Sequence, residues 1–172
     1  MTLIYPGSFD PVTLGHTDIA IRGAKIATRL IVAVLDNTNK QPLFSTAERI
    51  ALLQDTLGHI RNIEVDSFSG LLAEYTKRKH ATAILRGLRG PGDLESEARY
   101  ATCNSLLSSN NIETIFITAS PSLSFISSSI VREAAFHIST SNLDDSALRN
   151  MVSPSVQDAL KKRFSSQCKK FY

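Results

Sequence analysis

Cysteine is scarce. Cys103 and Cys168 are the only two in 172 residues, and neither lies at metal-ligand spacing from another, which argues against a disulfide framework or a thiolate-held metal and fits a reducing compartment. No apolar stretch reaches bilayer-spanning length. The first residues lack the charged and apolar regions of a signal peptide, so the chain is expected to be soluble and cytoplasmic, with no membrane partner. Internal repeats and low-complexity tracts are missing as well. Basic residues are not concentrated: the formal net charge is +3, and part of it falls on Lys161, Lys162, Arg163, Lys169 and Lys170, where cations complement a helix end. A nucleic-acid-binding stripe is denser than this, so no nucleic-acid partner is expected, whereas small anionic substrates are. No Ser-His-Asp or Cys-His arrangement points to a covalent intermediate. The 42% hydrophobic content suits one domain over residues 1–172 with a sizeable core.

The stretch Tyr5-Pro6-Gly7-Ser8-Phe9-Asp10-Pro11-Val12-Thr13-Leu14-Gly15-His16 organises what is there. An apolar run over 2–5 breaks at Pro-Gly, and helical spacing resumes near Thr17, which reads as strand, loop, helix. The loop therefore lies at the carboxyl end of a first strand, the edge at which open α/β sheets bind ligands, and the helix aims free N–H groups into that crevice. An anion is the expected guest. Gly15 allows close approach, Ser8 offers a hydroxyl and His16 an imidazole. As turn glycines and a solvated first-turn histidine, the same residues would serve equally well.

Further on, Ile19, Gly23 and Ile26 share a helical face, and Leu30-Ile31-Val32-Ala33-Val34-Leu35 reads as a strand buried on both faces. Lys40 sits in the polar loop that follows. Ser45 and Glu48 form a capping box for a helix burying Ala47, Ile50, Leu53 and Leu57, which leaves Arg49 at the surface. A weaker strand is expected over 62–66, then a helix from Gly70 with Leu71, Leu72 and Tyr75 facing inward. The cations Lys77, Arg78, Lys79 and His80 offset that helix's carbonyl end. A strand over 81–85 runs into a glycine-rich loop, Arg86-Gly87-Leu88-Arg89-Gly90-Pro91-Gly92, whose two guanidinium forks suit phosphate oxygens. Asp93, Glu95 and Glu97 open the next helix. A fifth strand over 113–118 leads to Ser124-Phe125-Ile126-Ser127-Ser128-Ser129, a serine-rich helix start beyond what capping requires, with Arg132 one turn along. Past Ser139 the chain turns polar, and a last helix opens at Ser153-Pro154 with Val156, Leu160 and Phe164 on one face.

These motifs together resemble those of the bacterial phosphopantetheine adenylyltransferases, over nearly the whole chain. The first and last belong to the wider nucleotidyltransferase superfamily, and Arg86-Gly87-Leu88-Arg89 narrows it. The resemblance implies an α/β fold: a Rossmann-like five-stranded parallel sheet with helices on both faces and a C-terminal helical cover. It also implies ATP and 4'-phosphopantetheine as substrates, Mg2+ held mainly through the ATP phosphates with no protein-built metal site, and a homohexamer. Carried over by position, Ser8, Phe9 and His16 contact ATP, with His16 the catalytic residue. Gly87, Leu88, Arg89 and Glu97 line the nucleotide, and Leu123, Ser124, Phe125, Ile126, Ser127, Ser128 and Ser129 complete its site. Ser8, Lys40, Leu72 and Arg86 hold phosphopantetheine. Two other readings stay open: adenylylation of a nicotinamide or nicotinate mononucleotide, against which the paired arginines weigh, and a nucleotide-sensing module without turnover, against which His16 and both phosphate-facing segments weigh.

Overall fold

The computed structural model describes residues 1–36, 41–109, 112–141 and 143–168. Five strands, β1 (Thr2–Gly7), β2 (Arg29–Leu35), β3 (Ile63–Phe68), β4 (Ala83–Leu88) and β5 (Glu113–Thr118), form one parallel sheet in the order β3-β2-β1-β4-β5. The helices are α1 (Leu14–Ile26), α2 (Thr46–Leu57), α3 (Leu72–Arg78), α4 (Pro91–Leu107), α5 (Ser128–Ser141) and α6 (Pro154–Cys168). The uninterrupted apolar run of β2 has its expected cause, since Leu30 to Val34 have no exposed surface and are covered on both sides. On one side Leu3, Leu30, Val32 and Leu85 pack with Ile19, Leu53, Val131, Val156 and Leu160 from the helices. On the other, Ile4, Ile31 and Ala33 meet Phe68 and Tyr75, with Leu72 against them. Val156, Leu160 and Phe164 bury one face of α6, as their spacing predicts, and α6 packs on α2 and α5 as the C-terminal cover. Each fully buried side chain of this kind contributes roughly 1.5–3 kcal/mol.

The direction of the chain reverses once. It steps from β1 out to β3 on one side, then crosses to β4 and β5 on the other. The switch point lies between β1 and β4, and there the ladder is short: only Leu3↔Ala83 and Ile4↔Ile84 pair. The β1–β2 ladder continues to Gly7↔Val34 and the β4–β5 ladder to Leu88↔Thr118. Continued register would set Pro6 opposite Arg86. Proline has no N–H to donate, and Nη1 of Arg86 instead donates to the Pro6 carbonyl at 2.9 Å. The sheet is thus split at its carboxyl edge.

Several expectations need correction. Strand β4 extends past residue 85, so Arg86, Gly87 and Leu88 belong to a strand paired with Phe116, Ile117 and Thr118 rather than to a loop. Strand β3 likewise runs over Ile63–Phe68 rather than 62–66. The buried face of α2 is Arg49, Leu52, Leu53 and Leu57, not one that includes Ala47. Arg49 is not a surface residue: it is 3% exposed because backbone carbonyls of two other segments receive its guanidinium. At the ends of helices, Ile26 and Leu71 are exposed, while His80 adopts a positive φ of 52° beyond α3. That left-handed terminus agrees with a capping rather than a chemical role for His80.

Asp10 connects three segments. Its buried carboxylate accepts the Leu43 N–H at 2.8 Å and the Phe44 N–H at 2.9 Å, and an Arg132 Nη1 bond at 3.0 Å joins it to α5. Asp10→Ala strands two donors and a cation, so unfolding in urea should show a loss on the order of 3 kcal/mol. A change within about 0.5 kcal/mol, as at an ordinary surface site, would show that this clamp contributes nothing.

Candidate active site

A cleft of about 300 Å³ opens in the split between β1 and β4. Its floor comes from the ends of those strands, and its walls from the loop after β1, the start of α1, the start of α4 and the serines before α5. Two glycines let side chains pack directly against the backbone of the floor. A Cβ at Gly7 would lie 2.9 Å from the Phe9 ring, and one at Gly87 2.9 Å from Ile19. Phe9 fills the space under Gly7, edge-on to Tyr5 at 5.4 Å and to His16 at 5.1 Å between ring centroids.

Helix α1 begins with Thr13 as its N-cap. The Thr13 hydroxyl accepts the His16 N–H at 3.4 Å, while the Thr13 N–H donates to Nδ1 of His16 at 3.1 Å. This is a capping box in which an imidazole takes the place of the usual carboxylate. A nitrogen that accepts a backbone N–H cannot carry a proton itself, so the ring proton of neutral His16 resides on Nε2, making that atom a donor. Burial of the ring lowers the His16 pKa to about 4, and the positive charges of Arg89 and Arg86 act in the same direction. Leu14 spends its N–H on the Met151 carbonyl at 2.8 Å. Among the described residues the Gly15 N–H has no partner, so one donor stays free at the positive end of α1.

Both arginines are already engaged. Arg86 forks onto Glu97 with Nε–Oε2 at 2.5 Å and Nη2–Oε1 at 2.7 Å. Burial opposes its charge, but Glu97 outweighs that and raises its pKa above the ordinary value. Arg89 lies just beyond β4 and donates through its backbone N–H at 2.9 Å and its guanidinium at 3.1 Å to Asp93. That contact holds the Asp93 carboxyl below its usual pKa. The serines divide their tasks. The Ser127 hydroxyl accepts the Ile130 N–H at 3.2 Å as a cap, Ser128 donates to the Pro11 carbonyl at 2.9 Å, and the Ser129 hydroxyl has no partner among the described residues.

Of the residues expected in the site, Ser8, Phe9, His16, Arg86, Gly87, Arg89, Glu97, Ile126, Ser127, Ser128 and Ser129 line this one cleft. Leu88, Leu123, Ser124 and Phe125 do not line it. Leu88 is buried in β4, Leu123 packs on the main core, Ser124 donates to the Pro121 carbonyl, and Phe125 is 56% exposed. Leu72 packs on the opposite side of the sheet, and Lys40 lies outside the described residues. Sequence reasoning missed Thr13 and the pairing of Asp93. The Thr-x-x-His spacing, N-cap to third helical residue, is the signal that would have found Thr13.

Because the folded pKa of His16 is depressed, the unfolded chain binds this proton more readily, and the ring's neutrality favours folding at pH values above about 6.5. That benefit is lost as pH falls toward 4. Nitrogen-15 NMR should therefore find His16 neutral, protonated on Nε2, down to about pH 5. A ring that titrates near its ordinary value would refute the assigned hydrogen bonding.

A cytidylyltransferase-like family model matches residues 4–134. A phosphopantetheine adenylyltransferase of Nostoc punctiforme (strain ATCC 29133 / PCC 73102) is 50% identical over 135 residues, which are 78% of this chain and 73% of the relative. Among solved structures, Plasmodium falciparum nicotinic acid mononucleotide adenylyltransferase complexed with NaAD matches 94% of each chain with a TM-score of 0.65 at 17% identity. The lipopolysaccharide core biosynthesis protein from Thermoplasma volcanium GSS1 covers 70% of this chain and 96% of its own at a TM-score of 0.50 and 20% identity. Those two likenesses bear on the fold alone, a Rossmann-like nucleotidyltransferase sheet. The family match and the sequence relative go further: the chain belongs to the cytidylyltransferase-like nucleotidyltransferases and, within them, to the phosphopantetheine adenylyltransferase family.

Proposed function

We propose that this protein transfers the adenylyl group of ATP to 4'-phosphopantetheine, forming 3'-dephospho-coenzyme A and pyrophosphate in coenzyme A biosynthesis. The observation that carries the reading is the cleft at the β1–β4 switch point, where a neutral histidine donor and two arginines converge in a chain of this family. The acceptor's phosphate oxygen attacks the α-phosphorus, a new P–O bond forms, and the bond to the β-phosphate bridging oxygen breaks as pyrophosphate leaves. An ionised phosphate monoester is already a nucleophile, so no group on the enzyme has to remove a proton. The protein's task is to position two anions in line and to stabilise charge on the transferring group.

The residues suit those tasks. In this reading the Nε2–H of His16 donates to the α-phosphate as charge accumulates on its oxygens. The free Gly15 N–H and the Ser129 hydroxyl add neutral donors around ATP, in company with Ser8, Phe9, Gly87, Arg89 and the Ile126 to Ser128 segment. Arg86 and Ser8 face the acceptor, and Lys40 and Leu72 are assigned to it from the family pattern alone. Leu88, Glu97, Leu123, Ser124 and Phe125 remain assigned to the nucleotide on the same ground. Magnesium fits here as a counter-ion brought by the nucleotide. Among the described residues no group of three or more His, Cys, Asp or Glu could hold a metal, and the cleft carboxylates Asp93 and Glu97 are paired with arginines. Bound to the phosphates, it would supply charge neutralisation at the leaving pyrophosphate.

A homohexamer in the cytoplasm completes the reading. Helix α4 has no buried residue and exposes Leu94, Tyr100, Leu106 and Leu107, a surface that self-association would cover. Among the described residues no helix is long and apolar enough to cross a membrane.

Pyrophosphate release from ATP should depend on 4'-phosphopantetheine and respond little to pantetheine, which lacks the attacking phosphate. Equal turnover with nicotinate mononucleotide or with unphosphorylated pantetheine would overturn the assigned acceptor. His16→Ala should lower kcat by about a hundredfold or more, roughly 3 to 4 kcal/mol, while ATP affinity stays near wild type, since the donor acts mainly in the transition state. Near-normal turnover in a folded, ATP-binding variant would remove His16 from the mechanism.

A further inference from the structure

Arg49 is the only buried cation among the described residues. It extends from the first turn of α2 to the carboxyl edge of the sheet. Its Nη1 donates to the Ser8 carbonyl at 2.9 Å and the Leu35 carbonyl at 3.3 Å, and its Nη2 to the Thr46 hydroxyl at 3.0 Å. The nearest carboxylate, Asp36, lies 3.9 Å away and is half exposed, and Nε has no partner. A buried guanidinium so incompletely matched carries a desolvation cost that an apolar side chain of similar volume avoids. Stability alone does not account for it.

The carbonyl of Ser8 supplies the reason. The Ser8–Phe9 peptide is trans, for among the described residues the one cis bond is Asp10-Pro11. In a planar trans peptide the C=O and N–H point in opposite directions. With the carbonyl drawn down onto Arg49, the Phe9 N–H is turned the other way, on a segment whose two residues both line the cleft. Among the described residues that N–H has no partner. Phe9 also has a φ of 47°, in the left-handed region that bulky side chains seldom adopt, so its surroundings must hold it there. The Phe9 ring locked beneath Gly7 fixes one side of this conformation, and the Arg49 bond fixes the other.

We infer that Arg49 is a positioning residue: it pins the Ser8 carbonyl so that the Phe9 N–H is presented to the phosphate bound in the cleft. Only the identity of that anion rests on the adenylyl-transfer reading. Arg49→Lys keeps the charge but cannot span Ser8, Leu35 and Thr46 together. The variant should lower kcat/KM for ATP by roughly ten- to a hundredfold and should weaken ATP binding by calorimetry. A purely structural role would lower the melting temperature and leave kcat/KM per folded molecule unchanged, which would overturn the inference. Should Arg49→Lys fail to fold, Thr46→Val decides: it removes one anchor of the guanidinium and should reduce kcat/KM for ATP by about threefold, whereas a wild-type value refutes the inference. If the wild-type protein binds ATP but turns over no acceptor, the functional reading fails by itself and ATP affinity of the variants still tests the role of Arg49.

Discussion

Strands β1 and β4 pair through two residues each and then part, and the site depends on that parting. A continuous ladder would leave no space between the strand ends, and Arg86 would have no carbonyl to seize. Pro6 withholds an N–H at the position where the ladder would continue, and the Arg86 side chain takes the place of the missing backbone partner. Because β1–β2 and β4–β5 stay paired to their ends, the opening has rigid margins. The cleft is therefore a consequence of strand order and of one proline. Loops decorate it but do not create it.

The groups around the opening are fixed by bonds that run outward from it. Thr13 sets the tautomer of His16, Glu97 and Asp93 set the planes of the two guanidiniums, and Asp10 ties the loop after β1 to the segment before α2 and to α5. Preorganisation of this kind reduces the reorganisation required as charge develops, which is where electrostatic catalysis gains most.

Much of this was legible in the sequence where the signal is local. The fifth strand has the same limits in both readings, the Ser45–Glu48 capping box forms as its spacing predicts, and α6 opens at Pro154 with its apolar stripe inward. The convergence of the first loop, the arginine segment and the serines follows from their common place after parallel strands. What was not legible depends on partners distant in sequence. Arg49 reads as a surface residue because charge predicts exposure, whereas the carbonyls that receive its guanidinium in the interior belong to Ser8 and Leu35, 41 and 14 positions away. Arg86 to Leu88 read as a loop because glycine and arginine are poor strand formers, yet pairing with Phe116 to Thr118 overrides that preference. Leu72, assigned by family pattern, is a partly buried residue packed against the Ile4, Ile31 and Phe68 cluster.

The carboxylates on α4 give the cleft one more property. With Glu97 on Arg86 and Asp93 on Arg89, both arginines of the cleft already have an anion of the protein's own. Entry of a phosphate at either arginine is then an exchange of one anion for another and not the neutralisation of a bare charge. Such a site discriminates by geometry: stray chloride or inorganic phosphate must compete with a tethered carboxylate at very high local concentration, and only a ligand that gains contacts elsewhere in the cleft can prevail. In the proposed reaction, helix α4 would thereby act as a chemical filter on the ions that reach the two arginines.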